Sequence, residues 1–343
     1  MRIVLDAMGS DKFPDPEVEG AVLAAREFGD EIILTGDEAR LRPLLEAQLK
    51  NAPRAKVSIV HAKDIVEMGD KPAFASRQKA ENSMAVGMQL VKEGKGDAFV
   101  TAGNTGAALT NGLFIFKRIR GIKRPALMVS LPTRKGRTVL LDVGANADCK
   151  PEFLLQFGIM GSVYASKILN IETPRVATLS NGEEEGKGNT LVKEAQQLLK
   201  KSKLNYIGNL ESKEFFAGAA DVVVTDGFTG NVFLKTSESV ASLMSDMIRE
   251  AIVKNPITTI GGVLVRPAFA SIRTKMDPTE VGGAPLLGLD GVAIVGHGRS
   301  NARAIRSAIN VARTAVQGKM LDAIRAELAA QLSEAELAGA SDE

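Results

Sequence analysis

Tryptophan is absent from the 343-residue chain, and aromatic residues make up only 4% of it. That poverty argues against base-stacking platforms for RNA or single-stranded nucleic acid. One cysteine, Cys149, excludes an internal disulfide and fits a reducing compartment. With only two histidines, His61 and His297, a His/Cys zinc cluster is excluded as well. No apolar stretch reaches the ~18–20 residues that a bilayer span requires. Met1-Arg2 runs straight into the apolar Ile3-Val4-Leu5, so no secretory leader is expected. A net charge of +2 implies no polyanionic partner by itself. Low-complexity linkers and fixed-period repeats are missing too. The expectation is a cytoplasmic protein, with surface attachment to a membrane left open.

What the chain does have is a recurring stop. Six apolar runs end in turns of Gly, Asn, Ser, Asp or Thr: Asp6–Asp11, Thr101–Gly106, Asp142–Asn146, Ser180–Gly182, Thr225–Asn231 and Gly296–Asn301. Most of these runs read as strands, and five of the stops lead into helical sequence. In an open parallel sheet such strand ends share one edge, where ligands bind. Glycine lets backbone approach a ligand closely, and helix N-termini offer free N–H groups to an anion. Such a crevice suits phosphate and a developing oxyanion. Side-chain nucleophiles are scarce in it, so the nucleophile is expected to arrive as substrate.

Strands are expected near residues 2–6, 31–35, 57–61, 97–101, 126–131, 137–143, 175–180, 204–208, 221–225 and 292–296. Most are apolar on both faces, as strands covered on both sides by helices are. Pro132–Gly136 is too short for a parallel crossover, so the strands flanking it form an antiparallel hairpin. The fold class is therefore α/β, a three-layer α/β/α arrangement on a mixed, mostly parallel sheet. Between Lys235 and Asp290 no sheet strand is expected. Val240, Leu243, Met244, Met247, Ile248, Ala251 and Ile252 keep the rhythm of an amphipathic helix, which Lys254-Asn-Pro256 ends. A second helix runs to about Lys275. Residues 237–276 thus form a helical hairpin inserted into a body of 1–236 and 277–343, and two helices and an acidic tail close the chain.

Lys187 lies between glycines in Ser180–Asn189, where it could meet a bound phosphate or a thioester carbonyl. The spacing is wrong for a Walker A loop, because one residue is missing and Gly188 replaces Ser or Thr. A solvated loop lysine is the plain alternative. Asn231 could aim its amide at an oxyanion, or simply cap the following helix. Asn104 and Thr105 allow the same two readings. Asp6 and Asp11 flank Gly9 and could hold Mg²⁺ or a polar substrate group, although turn roles are the usual explanation. His61, at a strand end, reads as structural, whereas His297 is a candidate for acid–base or anion contact. Gly296-His-Gly-Arg-Ser-Asn301 imitates a dinucleotide fingerprint, but only helices follow it, so NAD is set aside. No cofactor and no metal is expected. Gly9, Asn146, Asn181, Gly182 and Gly230 complete the expected phosphate- and substrate-binding set.

Lys117, Arg118, Arg120, Lys123 and Arg124 place five positive charges in eight residues, and Arg134-Lys-Gly-Arg137 adds three more. A charge run is usually a solvated face, yet an acidic protein or a phosphorylated carrier arm would dock here. The stretch 255–265 carries no charge and clusters Ile257, Ile260, Val263, Leu264 and Val265 between Lys254 and Arg266. An apolar tip rimmed by cations suits shallow insertion at an anionic membrane. A subunit interface is the competing reading; dimerisation through the helix faces and membrane contact through the tip are expected.

The motifs together carry a resemblance. Ile-Val-Leu-Asp-Ala-Met-Gly-Ser-Asp at the start, Val100–Ala108, Leu141–Asn146, Asn181–Asn189, Asp226–Val232 and Gly283–Gly291 resemble the phosphate acyltransferases of bacterial phospholipid synthesis. The resemblance implies transfer of a long-chain acyl group from acyl carrier protein to inorganic phosphate. It also implies a fold like the isocitrate and isopropylmalate dehydrogenases and the phosphotransacetylases, and homodimers held peripherally at the membrane. In that family a Lys and an Asn matching Lys187 and Asn231 are implicated in activity. Ser10 departs from the pattern, standing where Gly is expected. Phosphate would itself be the nucleophile, so no Ser or Cys triad is needed.

Overall fold

The computed structural model describes residues 1–72, 78–276 and 282–331. Its strands are β1 (Arg2–Asp6), β2 (Glu31–Gly36), β3 (Val57–His61), β4 (Ala98–Thr101), β5 (Ala126–Thr133), β6 (Gly136–Leu141), β7 (Arg175–Leu179), β8 (Asn205–Leu210), β9 (Val222–Val224), β10 (Ala284–Leu287) and β11 (Ala293–Val295). They form one sheet in the order β3-β2-β1-β4-β11-β10-β5-β6-β9-β7-β8. Helices cover both faces, so the three-layer, mostly parallel α/β class holds.

Two expectations need correction. The first concerns β10, which lies in the stretch expected to be strandless. Ala-Pro-Leu-Leu is short, and Pro285 lacks the N–H that marks an interior strand. Its place is set from outside, by antiparallel pairing with β11 and β5.

The second concerns direction. The β5–β6 hairpin is antiparallel as expected, and β9, β7 and β8 follow β6 in parallel. β1, β2, β3, β4 and β11 run the other way. The six stops therefore do not end on one edge of the hydrogen-bonded sheet. Three follow β1, β4 and β11, and three follow β6, β7 and β9 in the opposite sense. Each strand step adds roughly 20–25° of twist. Over the six steps from β1 to β9 a twist of that size accumulates to about 120–150°.

One sheet face carries a continuous core, built from helix residues such as Val18, Leu41, Phe153, Leu199, Ile305 and Ile324. The other face carries two separate clusters. Met84, Met88 and Phe116 mark one, and Phe215 and Leu234 mark the other. Close helix packing relies on small residues: a Cβ on Gly20 would stand 2.6 Å from Ile305. Gly161 meets Val222 at the same 2.6 Å.

The helical hairpin is present as Gly227–Val253 followed by Pro256–Met276. Its first helix begins inside the β9 turn, so the hairpin grows directly from the body's own strand end. Gly262 lets the two helices close on Ile252, and Asn255 caps the second through the Thr258 N–H at 3.0 Å. Asp277-Pro278 and the acidic tail lie outside the described residues.

Beneath the first turn sits a buried acid. Glu17 Oε1 accepts the Ser10 N–H at 2.9 Å, while Glu17 Oε2 and Ser10 Oγ have no partner. Burial pushes the Glu17 carboxyl up to about 7 from its ordinary 4.5. Between those values the folded protein keeps a proton that the unfolded chain has released, so stability falls as pH rises through this window. The shift corresponds to about 3 kcal/mol. Glu17→Gln keeps the acceptor and removes the charge. Urea unfolding is expected to show the variant about 1–3 kcal/mol more stable near pH 8, with the wild-type decline between pH 5 and 7 reduced.

Candidate active site

The turns after β1, β4 and β11 form one interlocked group. A Cβ on Gly9 would stand 2.7 Å from both Asp6 Oδ2 and the Gly103 N. Asp11 donates its N–H to the Gly298 carbonyl at 2.7 Å, and Gly296 donates to the Thr101 carbonyl at 2.7 Å. Asp6 lies underneath, fully buried. It accepts the Thr101 hydroxyl at 2.6 Å and the Met8 N–H at 3.0 Å. Burial raises its pKa, and those donors oppose the rise. Asp6 is thus the support of the turn, while Asp11 is exposed above it. Asn104 caps the Thr105–Ile115 helix, accepting the Ala107 N–H at 3.0 Å. Its amide donates to the Met68 and Asp70 carbonyls, each at 3.1 Å. Both ends of that side chain are engaged, which is the capping reading. Thr105 opens the helix, half-buried.

The turns after β6 and β9 interlock just as tightly. Asp142, buried, accepts the N–H groups of Leu127, Gly144, Ala145 and Asn146, and the Asn146 amide as well. Burial raises the Asp142 carboxyl, and these donors pull against it. Asn146 also donates to the Pro125 carbonyl at 2.7 Å, and its own carbonyl accepts the Gly227 N–H at 2.8 Å. Asn146 therefore holds the turn together. Gly227 and Gly230 admit no side chain: a Cβ on Gly230 would sit 1.9 Å from the Asp142 carbonyl oxygen.

Asp226 caps the Gly227–Val253 helix through the Thr229 N–H at 2.8 Å. Asn231 is therefore not the cap. Its amide nitrogen lies over Gly144, within 2.9 Å of where a Cβ would stand, with the side chain exposed.

Lys187 is carried by the turn after β7, the strand hydrogen-bonded to β9. The loop is pinned from two sides. Asn181 Oδ1 accepts the Gly188 N–H at 3.0 Å, and the Asn209 amide donates to the Glu184 and Lys187 carbonyls. Gly188 has a positive φ of 96°, and Gly182 lies under the Lys187 methylenes, 2.6 Å from Cγ for an added Cβ. Lys187 is exposed, and no ion pair holds its ammonium among the described residues. Asn209 went unseen in the sequence, because its role depends on β8 lying beside β7.

The two groups are joined through the long helix. Positions 231, 235 and 238 follow i, i+4, i+7 and share a helix face. Lys235 pairs with Glu238 at 3.0 Å, and Glu238 pairs with His297 Nε2 at 3.4 Å. His297, together with Lys235, holds the Glu238 carboxyl down at about 2. A helix rises 1.5 Å per residue, so His297 meets this face roughly 10 Å from Asn231 along the axis. Lys235 and Glu238 went unnoticed in the sequence, although their spacing from Asn231 was a readable signal. His61 accepts the Glu38 N–H at 3.3 Å at the start of the Glu38–Leu49 helix, far along the sheet at β3.

Cys149 is half-buried, and burial pushes its thiol up to about 12. It is not poised as a nucleophile. Glu183, Glu211 and Glu214 converge near the Lys187 loop, but the Lys213 ammonium already lies within 4.0 Å of all three. The arrangement offers amides, backbone N–H groups and cations. It suits anion binding and oxyanion stabilisation.

Comparison with known proteins narrows the chemistry. The model of the fatty acid synthesis protein family matches residues 1–322. A phosphate acyltransferase from Alkaliphilus oremlandii is 48% identical over 326 residues, covering 94% of this chain and 96% of its own. One from Geobacter sulfurreducens is 45% identical over 338 residues, covering 97% of each. Among solved structures, a phosphotransacetylase from Streptococcus pyogenes superposes with a TM-score of 0.59 at 20% identity, covering 93% of this chain and 94% of that one. A branched-chain phosphotransacylase from Enterococcus faecalis gives 0.56 at 14%, covering 92% and 99%. These two share the fold.

Proposed function

The chain belongs to the fatty acid synthesis protein family, with the phosphate acyltransferases, and from that premise we propose that its acyl donor is a long-chain acyl carrier protein. The enzyme is a transferase that moves an acyl group to phosphate. In the proposed reaction a phosphate oxygen attacks the thioester carbonyl, the tetrahedral oxyanion collapses, and the carrier thiolate leaves. Acyl phosphate for phospholipid synthesis is the product. Asn231, exposed over the Gly144 turn, carries this reading: its amide, with nearby backbone N–H groups, receives the oxyanion. Lys187 neutralises phosphate or polarises the carbonyl, and Asn104, Thr105, Asn181 and Gly182 belong to the turns that shape the anion site. His297 meets the same helix face through Glu238.

Lys187→Ala tests the assignment. A charge-assisted hydrogen bond is worth about 1.5–3 kcal/mol, so kcat/KM for phosphate should fall about 10- to 100-fold. A folded variant keeping most of the wild-type rate would remove Lys187 from the mechanism.

Carrier docking falls on Lys117, Arg118, Arg120, Lys123 and Arg124. Comparing palmitoyl carrier protein with acetyl-CoA as donors separates the proposal from a short-chain phosphotransacetylase: the carrier substrate should win.

The hairpin, 237–276, serves dimerisation and peripheral membrane contact in this proposal. Val240, Leu243, Met244, Met247 and Ile248 form an exposed apolar row, which supports a second copy packing there. At the tip Ile257 is 82% and Leu264 76% exposed, with Ile260, Val263 and Val265 beside them. No helix among the described residues is long and apolar enough to cross a membrane. Shallow insertion at the inner face of the cell membrane is the fitting mode. Replacing Ile257 and Leu264 with Glu should abolish sedimentation with anionic vesicles while leaving turnover of soluble substrate intact. Unchanged sedimentation would sink the membrane assignment, and a scaffold without catalysis would show the reverse dependence on Lys187 and the tip.

A further inference from the structure

We propose that a basic pocket beside the Asp142 turn is the binding site for the phosphate ester of the acyl donor's pantetheine arm, separate from the site for the attacking phosphate. The proposal rests on the acyl-transfer reading above. The pocket encloses about 430 Å³ and is lined by Arg118, Lys123, Arg124, Asn146, Asp148 and Lys150, among others.

The backbone that carries Arg118, Lys123 and Arg124 is held in place by the fold, and Arg124 and Lys150 extend exposed from it and from the neighbouring helix start. The loop that carries the first three is fixed at three points. Gln156, buried, accepts the Lys123 N–H at 2.9 Å and donates to the Gly121 carbonyl at 2.7 Å. The Asn146 amide grips the Pro125 carbonyl at 2.7 Å. The Arg118 guanidinium donates to the Lys123 carbonyl at 2.7 Å, which orients the fork without neutralising it.

Charge is left over. Lys123 pairs with Glu152 at 3.5 Å, and Asp148 is the acid on the lining. Arg118, Arg124 and Lys150 pair with no carboxylate among the described residues. Lys150 also precedes the 18-residue Pro151–Ile168 helix, whose N-terminus has no side-chain cap and points its partial positive charge at the same space. A fixed loop and a helix start that bring surplus cations to one pocket suit an anionic ligand.

Position identifies which anion. Asn146 belongs to the pocket wall, and its carbonyl takes the first N–H of the helix that carries Asn231. The pocket therefore adjoins the oxyanion site without containing Asn231, Lys187 or His297. A donor whose thioester is reached through an extended arm needs its phosphate held at such a remove. The attacking phosphate must instead sit at the thioester itself. Two donors carry this phosphate, a phosphopantetheinylated carrier and coenzyme A.

Titration calorimetry on the full chain with pantetheine 4′-phosphate and with pantetheine tests the idea without relying on turnover. Wild type should bind the phosphorylated arm about tenfold or more tightly, and Arg124→Ala/Lys150→Ala should erase that difference. Lys150→Arg, which keeps the charge, should retain it. Equal binding of the two arms by wild type, or a difference that survives in the double variant, overturns the proposal. So does a double variant whose KM for inorganic phosphate rises while arm binding is unchanged, since the pocket would then hold the acceptor. Loss of binding to the acyl carrier alone, with pantetheine phosphate and coenzyme A unaffected, would mark a protein-docking surface instead. If wild type prefers the phosphorylated arm yet transfers no acyl group from any carrier, the donor reading fails and the pocket stands.

Discussion

Asn231→Ala should lower kcat by about 10²–10³-fold, the usual cost of deleting one oxyanion donor. KM for phosphate should move little, because in the proposed mechanism the amide acts on charge that develops only in the transition state. Stability should stay within about 0.5 kcal/mol, as for other exposed substitutions outside special backbone positions. Asp226, not Asn231, supplies the helix cap, so the loss cannot be read as an unravelled helix end. Steady-state kinetics beside thermal unfolding would separate the two explanations. A drop in unfolding midpoint that tracks the drop in rate would make Asn231 a structural residue.

Gly230→Ala should be worse, and for a different reason. The added methyl would stand 1.9 Å from the Asp142 carbonyl oxygen, a backbone atom that cannot rotate away. The helix start must shift, at a cost of about 3 kcal/mol or more. Asn231 is the next residue, and a displacement near 1 Å at the reacting centre is worth about 10²-fold in rate. Activity and stability should therefore fall together. Gly186 provides the contrast: its Cβ would meet nothing within 4 Å. Gly186→Ala, one residue from Lys187, should leave unfolding nearly unchanged. A Gly230→Ala protein with normal stability and rate would mean that the Asp142 and Gly227 turns are not locked as described.

Much of this architecture was legible in the sequence because local patterns carried it. Each expected strand from Arg2 to Val295 is present with ends shifted by a residue or two, and the amphipathic rhythm after Lys235 gave the hairpin helices. What was missed depends on partners distant in sequence. β10 exists because β5 and β11 flank it, and Pro285 hides it from any local rule. The hairpin at Pro132–Gly136 was readable, but its consequence, that β6, β7, β8 and β9 run opposite to β1 and β4 while β11 does not, appears only once the strand pairing is known. The stops therefore fall into two groups that the long helix unites through Glu238 and His297.

The same limit applied to the site. A turn rich in Asn shows that amides are available, not which of them face outward. Asn104, Asn146 and Asn181 spend hydrogen bonds on their own turns, through Ala107, Pro125 and Gly188 respectively. Asn231 has no such engagement among its described contacts, and only the identity of the true cap, Asp226, reveals that. Lys235, Glu238 and Asn209 entered through tertiary neighbours. Buried Glu17 and Ser10, with unpartnered oxygens under the first turn, were likewise invisible to a reading based on motifs.

Direct attack by phosphate on the donor thioester is the core of the proposed mechanism, in which no acyl group rests on the protein. The sharpest trial of it mixes enzyme, palmitoyl carrier protein and isotopically labelled free carrier in buffer stripped of phosphate. Label should stay out of the acylated carrier until phosphate is added. Exchange at a rate near turnover in its absence would reveal a covalent acyl-enzyme and contradict the mechanism.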